Sequence, residues 1–425
     1  MHTKNSGTYQ RVGSMVYKVI YYIILYNKLY MTSLVSLGKI DGFYSGSNTG
    51  HSVSLVSDTS SSGTWLAVGA HRFSEINGQE GQVRVYKYDL LNKTFNQIGN
   101  SITGNLNDNL GINIALSSTD TSGQILVIGA PTNTNINGPG SVRVYRYNDA
   151  SNNLNLIGSV VGNNSTSNRF GINVAVSSNG TRFAGSSGAG GYVRVYNIGS
   201  STLTKVGSDI TGATNISFGV GLCLNSIGDI VAIGAPGGRG LVRVYKSNNN
   251  VWSQVGSDIS DNTLPTAGNL GQSVSLSSNG TILAVGIPGG NGGRGLVRVY
   301  KSNNNVWSQV GSDISDNTLP TTAKMGYSVN LSSDGTILAV GIPYASTNSK
   351  GLFRLYKYSD NWNKFSQDII GTANSESMGW SVSLNQDGTI VAAGSPFAGS
   401  GKVEVYSLTK LLNIPRKVSS FLSRL

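Results

Sequence analysis

Charge and cysteine are both scarce in this sequence. Asp, Glu, Lys and Arg make up only 12% of the 425 residues, too few for the charged outer faces of a helical protein. The single cysteine, Cys223, excludes an intramolecular disulfide; it stands where neighbouring repeats carry small residues such as Ser275, which reads as a small core position. Three histidines, His2, His51 and His71, form no recurring metal-ligand spacing, and no cofactor is expected. No nucleophile stands at a recognisable distance from a base, and no glycine-rich loop leads into a helix to cradle phosphate. The apolar run at residues 19–26 (VIYYIILY) has eight residues between Lys18 and Lys28, too short to span a bilayer.

The formal charge of +11 invites a nucleic-acid reading, but it belongs to the ends. Lys4, Arg11, Lys18, Lys28 and Lys39 face only Asp41 at one end, and Lys410, Arg416, Lys417 and Arg424 face no acid at the other. What is left over the middle of the chain is +3, too weak a field to attract a phosphate backbone.

Glycine, by contrast, is abundant at 56 residues, with Ser, Asn and Thr filling the spaces between short apolar runs. That is the composition of many short strands joined by turns. The tripeptide Arg-Val-Tyr begins at Arg84, Arg143, Arg194, Arg243 and Arg298, with Arg354-Leu355-Tyr356 and Glu404-Val405-Tyr406 as variants. Its tyrosines recur every 49 to 59 residues, with four strand-like runs per unit, which is the period of a propeller blade. In the fifth unit these runs are residues 272–277, 281–286, 296–301 and 306–311; the pair Asn279-Gly280 predicts a tight hairpin with positive φ at both residues. Seven such units can be traced, from Gly50, Gly111, Gly171, Gly219, Gly271, Gly326 and Gly379. Residues 237–266 and 292–321 are identical, thirty positions at an offset of 55, as whole-blade duplication would leave them.

The last unit lacks its fourth strand, and residues 33–42 resemble the fourth run of the third unit, residues 202–212. The expected architecture is therefore an all-β, seven-bladed propeller of four-stranded antiparallel blades, with an N-terminal strand completing the last blade. Residues 33–406 form the propeller, residues 1–32 an extension and residues 407–425 a basic tail. The extension reads either as a leader, since positive charge precedes its apolar run, or as sequence upstream of a true start at Met31.

The Gly-x-Ser-Val starts, the Leu-Ala-Val-Gly-x-Pro middles and the Val-Arg-Val-Tyr ends resemble the FG-GAP repeat of integrin α-chain propellers and FG-GAP-like proteins. Phe-Gly survives at Phe170-Gly171 and Phe218-Gly219, and Gly-Ala-Pro at Gly129-Ala130-Pro131 and Gly234-Ala235-Pro236. The resemblance implies a binding role in cell adhesion or on a cell or virion surface. It does not carry calcium with it, because the matching loops, at residues 277–280, 332–335 and 385–388, hold one carboxylate at most. Asp58 and Asp120, in longer loops, are the residual calcium candidates.

Propellers also host sialidases, but residues 332–336 (SSDGT) lack a residue of the Asp-box pattern and residues 57–65 have too long a middle. The repeated arginine reads as scaffold, packed on aromatic neighbours of the fourth strand, since a residue common to nearly every blade cannot single out a ligand. The loops that differ among blades, residues 71–81, 131–140 and 344–351, fall on one face. Arg72, Glu75, Tyr344 and Lys350 are the candidate contacts there. The expectation is a monomeric, non-enzymatic module that binds a protein or glycan, with no nucleic-acid partner and no stable membrane span, outside the cell; the alternative is a cytoplasmic interaction scaffold.

Overall fold

A computed structural model describes residues 33–42, 44–57, 63–75, 78–118, 123–131, 138–163, 168–212 and 216–409. The extension before residue 33, the tail from residue 410, Asp58 and Asp120 lie outside the described residues. The chain folds as an all-β, seven-bladed propeller of antiparallel blades. Blade one runs from the axis outward as Ser52–Ser57, Thr64–Ala70, Gln82–Asp89 and Thr94–Thr103. Blade five is Val274–Leu276, Ile282–Ile287, Leu296–Asn303 and Val306–Gln309. In blade seven the three inner strands are Ser381–Leu384, Ile390–Ser395 and Lys402–Thr409. Its outermost strand is Ser33–Asp41, which pairs with Lys402–Thr409 from Leu34 opposite Leu408 to Asp41 opposite Lys402.

The core lies between blades and not at the axis. Seven apolar clusters occupy the seven blade interfaces; in one, Val297 and Val299 of blade five meet Leu331, Leu338 and Val340 of blade six. The second strand of each blade is covered on both sides, which is why its sequence is a continuous apolar run: all seven residues of Thr64–Ala70 are buried.

Two glycines set the spacing of these interfaces. The first glycine of each unit, from Gly50 to Gly379, has φ between +82° and +98°, a left-handed backbone that turns the chain into the inner strand. The second ends the second strand, as at Gly286, where a Cβ would overlap the carbonyl oxygen of Gly326 in the next blade. The same approach recurs at Gly69, Gly129, Gly234, Gly341 and Gly394. Ser52, Ser273, Ser328 and Ser381 seal it by donating a hydroxyl hydrogen bond of 2.8 to 2.9 Å to that next-blade glycine carbonyl. In six of the seven units the residue before the first glycine is large and apolar, and Leu110, Phe170, Phe218, Leu270, Met325 and Met378 are all fully buried; blade one places Thr49 there.

Two local expectations are corrected. The Asn279-Gly280 turn has positive φ only at Gly280. Its hairpin closes at Ser277 and Ile282, and Asn279 instead turns its side-chain oxygen toward the Thr281 amide at 3.0 Å, a side-chain-capped turn. Asp334 plays the same part in blade six, with its carboxylate spent on Ser332 and Thr336. The fourth strand of blade five stops at Gln309, not at residue 311, because Gly311 has φ +75°; the chain rejoins the sheet at Ile314–Ser315. This break aims Asp313 at Arg298.

Gly286→Ala should destabilise the fold by roughly 2–3 kcal/mol, the usual cost of forcing an extra methyl into a filled space. Gly399→Ala, where a Cβ meets nothing within 4 Å and φ is +61°, should cost only about 1 kcal/mol of backbone strain. Urea midpoints of the two variants decide this; equal shifts would refute the interface role of Gly286.

Candidate ligand face around the axial channel

The inner strands have one free edge each, facing the inner strand of the next blade across the channel wall. Side chains fill the missing ladder. Ser54 accepts from the Leu116 amide, Ser275 from Leu331 and Ser383 from Leu55, each at 2.9 Å, and Asn330 accepts from Leu384 at 2.7 Å. Cys223 takes the same place opposite the Leu276 amide, and burial pushes its thiol up to about 12. It lines the channel as well as touching the cluster between blades four and five, because strand alternation turns it to the axis. These polar groups are committed to holding the ring.

The two mouths differ. At the hairpin end, a belt of backbone bonds runs from blade to blade: Asn179 to Ser226 at 3.1 Å, Ser226 to Ser278 at 3.0 Å, Ser278 to Ser333 at 2.8 Å and Ser333 to Gln386 at 2.7 Å. Gln386 extends it by accepting from the Ser57 amide at 2.9 Å and donating to the Ser118 hydroxyl. This mouth is laced by groups that hardly vary among blades.

The opposite mouth is a funnel of about 350 Å³. Its rim is the residue after each first glycine: His51, Ile112, Ile172, Val220, Gln272, Tyr327 and Trp380. All seven are half-buried. The preceding Gly is uniform and Ser or Asn follows in every blade but the fourth, which has Gly221, so the scaffold fixes the position but not the side chain. Aromatic rings gather on one arc. Trp380 lies 4.5 Å from Tyr327, 4.7 Å from Phe397, 5.5 Å from His51 and 6.3 Å from Tyr344, centroid to centroid. His51 in turn meets His71 at 4.1 Å. Burial, opposed only by a hydrogen bond to the Ile112 carbonyl, drives His51 down to about 4; burial, then His51 and Arg72, drive His71 down to about 2. Both rings are therefore neutral at physiological pH.

Of the four candidate contacts, Tyr344 joins this arc through Trp380, and Arg72 acts on the two histidines. Glu75 is exposed, with its amide bonded to Glu80, and Lys350 is half-buried, its carbonyl held by the Met378 amide. Neither lines the funnel. His51, Tyr327, Trp380 and Phe397 were not among the candidates. Their signal in the sequence is disagreement among otherwise uniform repeats.

The repeated arginines lie elsewhere, on the third strands, and carboxylates hold Arg143, Arg194, Arg243, Arg298 and Arg354. Arg298 forks onto Asp313 of its own blade, at 2.8 and 3.1 Å, and reaches Asp261 of the preceding blade at 2.8 Å. Arg354 does the same with Asp368, at 3.0 Å, and Asp316, at 2.8 Å. Arg143 reaches Asp108 of blade one. Among the described residues, Arg194 lies 4.7 Å from Tyr192 and 5.6 Å from Phe170, rings of the third strand and the blade entry and not of the expected fourth strand, and it also grips Asp209. In blade seven the polarity reverses: Glu404 replaces arginine, and Lys402 bridges it to Glu376 of the preceding blade, at 3.0 and 2.8 Å. Among the described residues no group of three or more His, Cys, Asp or Glu stands close enough to hold a metal. No family model matches the chain, and no curated protein matches it either.

Acid should unfold the ring in two stages. The histidines bind protons more readily unfolded, at 6.5, than folded, so stability falls from about pH 6.5 toward 4. Hydrogen bonds from Thr263 and Arg298 hold Asp261 down to about 2, and those from Thr318 and Arg354 do so for Asp316 despite its burial; their stabilisation is complete above the ordinary 3.8 and lost as pH falls through 2. Urea midpoints against pH should show the pair His51→Gln and His71→Gln flattening the upper stage and the pair Asp261→Asn and Asp316→Asn flattening the lower one.

Proposed function

We propose that the protein is a non-catalytic binding module that presents the funnel face and its loops to a protein or glycan partner. One observation carries this reading: seven interfaces are built alike, while residue identity changes from blade to blade at one mouth. Parallel bridges such as Gly81 to Leu110 and Gly351 to Met378 run each loop after a second strand beside the segment entering the next blade. The varied sequences are thereby collected on that same face, mounted on a rigid ring. The resemblance of the repeats to FG-GAP and integrin α propellers supports adhesion or display at a cell or virion surface.

A cytoplasmic scaffold is the second reading, and Met31 favours it, since a start there keeps the strand Ser33–Asp41 and omits the apolar run at residues 19–26. Mass-spectrometric mapping of the mature N-terminus separates the two. A start at Met31 in a cytosolic fraction would exclude the surface role.

Binding through the face is tested by replacing residues 344–351 with the blade-five loop, residues 289–295. On a protein and glycan array, a partner of the parent protein should be weakened about tenfold or more, the loss of one good contact. Unchanged binding would exclude this loop from the interface.

A further inference from the structure

We infer that the funnel mouth binds a neutral saccharide, with Trp380 and Tyr327 as the stacking platform. This rests on the binding-module reading and names the ligand class of its site.

The aromatic arc is not a requirement of the fold. Blades five and six share an identical second strand, Ile282–Ile287 and Ile337–Ile342, both ILAVGI, followed in each by proline. Yet the rim residue changes from Gln272 to Tyr327, and the residue after the proline from Gly289 to Tyr344. Blade seven repeats the change with Trp380 and Phe397, the latter 40% exposed. Blades two, three and four form the same interfaces with Ile112, Ile172 and Val220 at the rim. Large rings therefore collect over blades six, seven and one for a reason outside the scaffold.

The funnel's chemistry then selects the ligand. Its lining includes no Asp, Glu, Lys or Arg, and His51 is held neutral, so an ion entering it would lose hydration without gaining a counter-charge. The lining instead sets an aromatic arc against amides elsewhere on the wall, among them Asn113, Asn173 and Gln272. A pyranose has the complementary surface: an apolar C–H face and a rim of hydroxyls. None of the four rings around Trp380 stacks on it in parallel; the interplanar angles are 86°, 88°, 45° and 50°. Its plane is fixed without either face being taken up by a parallel ring. A cavity of about 350 Å³ suits a mono- or disaccharide.

The test titrates the full chain with methyl mannoside, methyl galactoside, N-acetylglucosamine, lactose and cellobiose, with sialyllactose as the anionic comparator. Binding is read by tryptophan fluorescence and by saturation-transfer NMR on the sugar. At least one neutral sugar should saturate at roughly millimolar concentration, as expected for a small ligand held by few contacts. Tyr327→Gln, which installs the blade-five residue, should weaken it about tenfold, matching the loss of one stacking contact. Trp380→Gln should abolish it, while Ser278→Ala at the laced mouth leaves it unchanged. Circular dichroism melts of the variants confirm that the ring is intact. No response to any neutral sugar, or equal binding by the parent and both rim variants, overturns the inference. If array partners still depend on the loop at residues 344–351, only the saccharide assignment falls; if neither assay finds a ligand, the binding-module reading falls with it.

Discussion

The approach of two glycines across six of the seven blade interfaces, with Ser186 bonded to the Gly219 carbonyl at the seventh, is the constraint on which the other features depend. With Gly286 against the Gly326 carbonyl, neighbouring blades meet backbone to backbone at the funnel end of the inner strands. No side chain larger than hydrogen fits, so the approach fixes the angle between blades far more sharply than apolar contacts alone. Every other device acts from that hinge outward. The serine hydroxyls seal it, the channel-wall side chains finish the inner strands' unpaired edges, and the indole N–H of Trp307 reaches back to the Val255 carbonyl at 3.2 Å where the outer strands diverge.

Electrostatics follow the same geometry. Arginines on six third strands would form an arc of positive charge if left alone, yet Arg298 and Arg354 take carboxylates from two blades, so these pairs act as clamps across the interface. Arg354 is only 9% exposed and its partner Asp316 22%, which shields the pair from the screening that makes surface ion pairs weak. In blade seven Glu404 takes the arginine's place, yet Lys402 stands between Glu404 and the buried Glu376, so a cation still bridges carboxylates of two blades. The clamp needs that arrangement and not a particular residue at one strand position, so the exchange is expected of a structural device.

Most of the fold was legible in the sequence because a propeller repeats its rules. Seven first glycines, apolar second strands in every blade but the third, and the recurrent Arg-Val-Tyr with its two variants mark the positions from which a blade is built. What escaped was local or relational. Asn279-Gly280 has the composition of a two-residue turn, and only the competing Asn279 side-chain bond shows that it closes differently. The clamp was visible as spacing, Arg243 to Asp258 and Arg298 to Asp313 both fifteen residues apart, but attention to aromatic neighbours hid the carboxylates. Of the candidate site, the sequence pointed to the loops and not to the rim, although His51, Tyr327 and Trp380 stand beside glycines already used to count the blades.

That omission has a physical cause which also explains where the site lies. A ring with sevenfold pseudo-symmetry presents any shared residue seven times, whereas a ligand smaller than the funnel touches only part of the rim. Recognition of such a ligand must break the symmetry, so the informative positions are those where the repeats disagree while their neighbours do not. The hinge glycines make this disagreement inexpensive. Because the blade angle is set by backbone contact and the clamps lie further out, the interface does not depend on the rim residue, even where His51 reaches the Ile112 carbonyl of the next blade, and Gln272 can become Tyr327 within an otherwise duplicated frame. The uniformity that makes the fold readable is thus what leaves one arc of its mouth free to specialise.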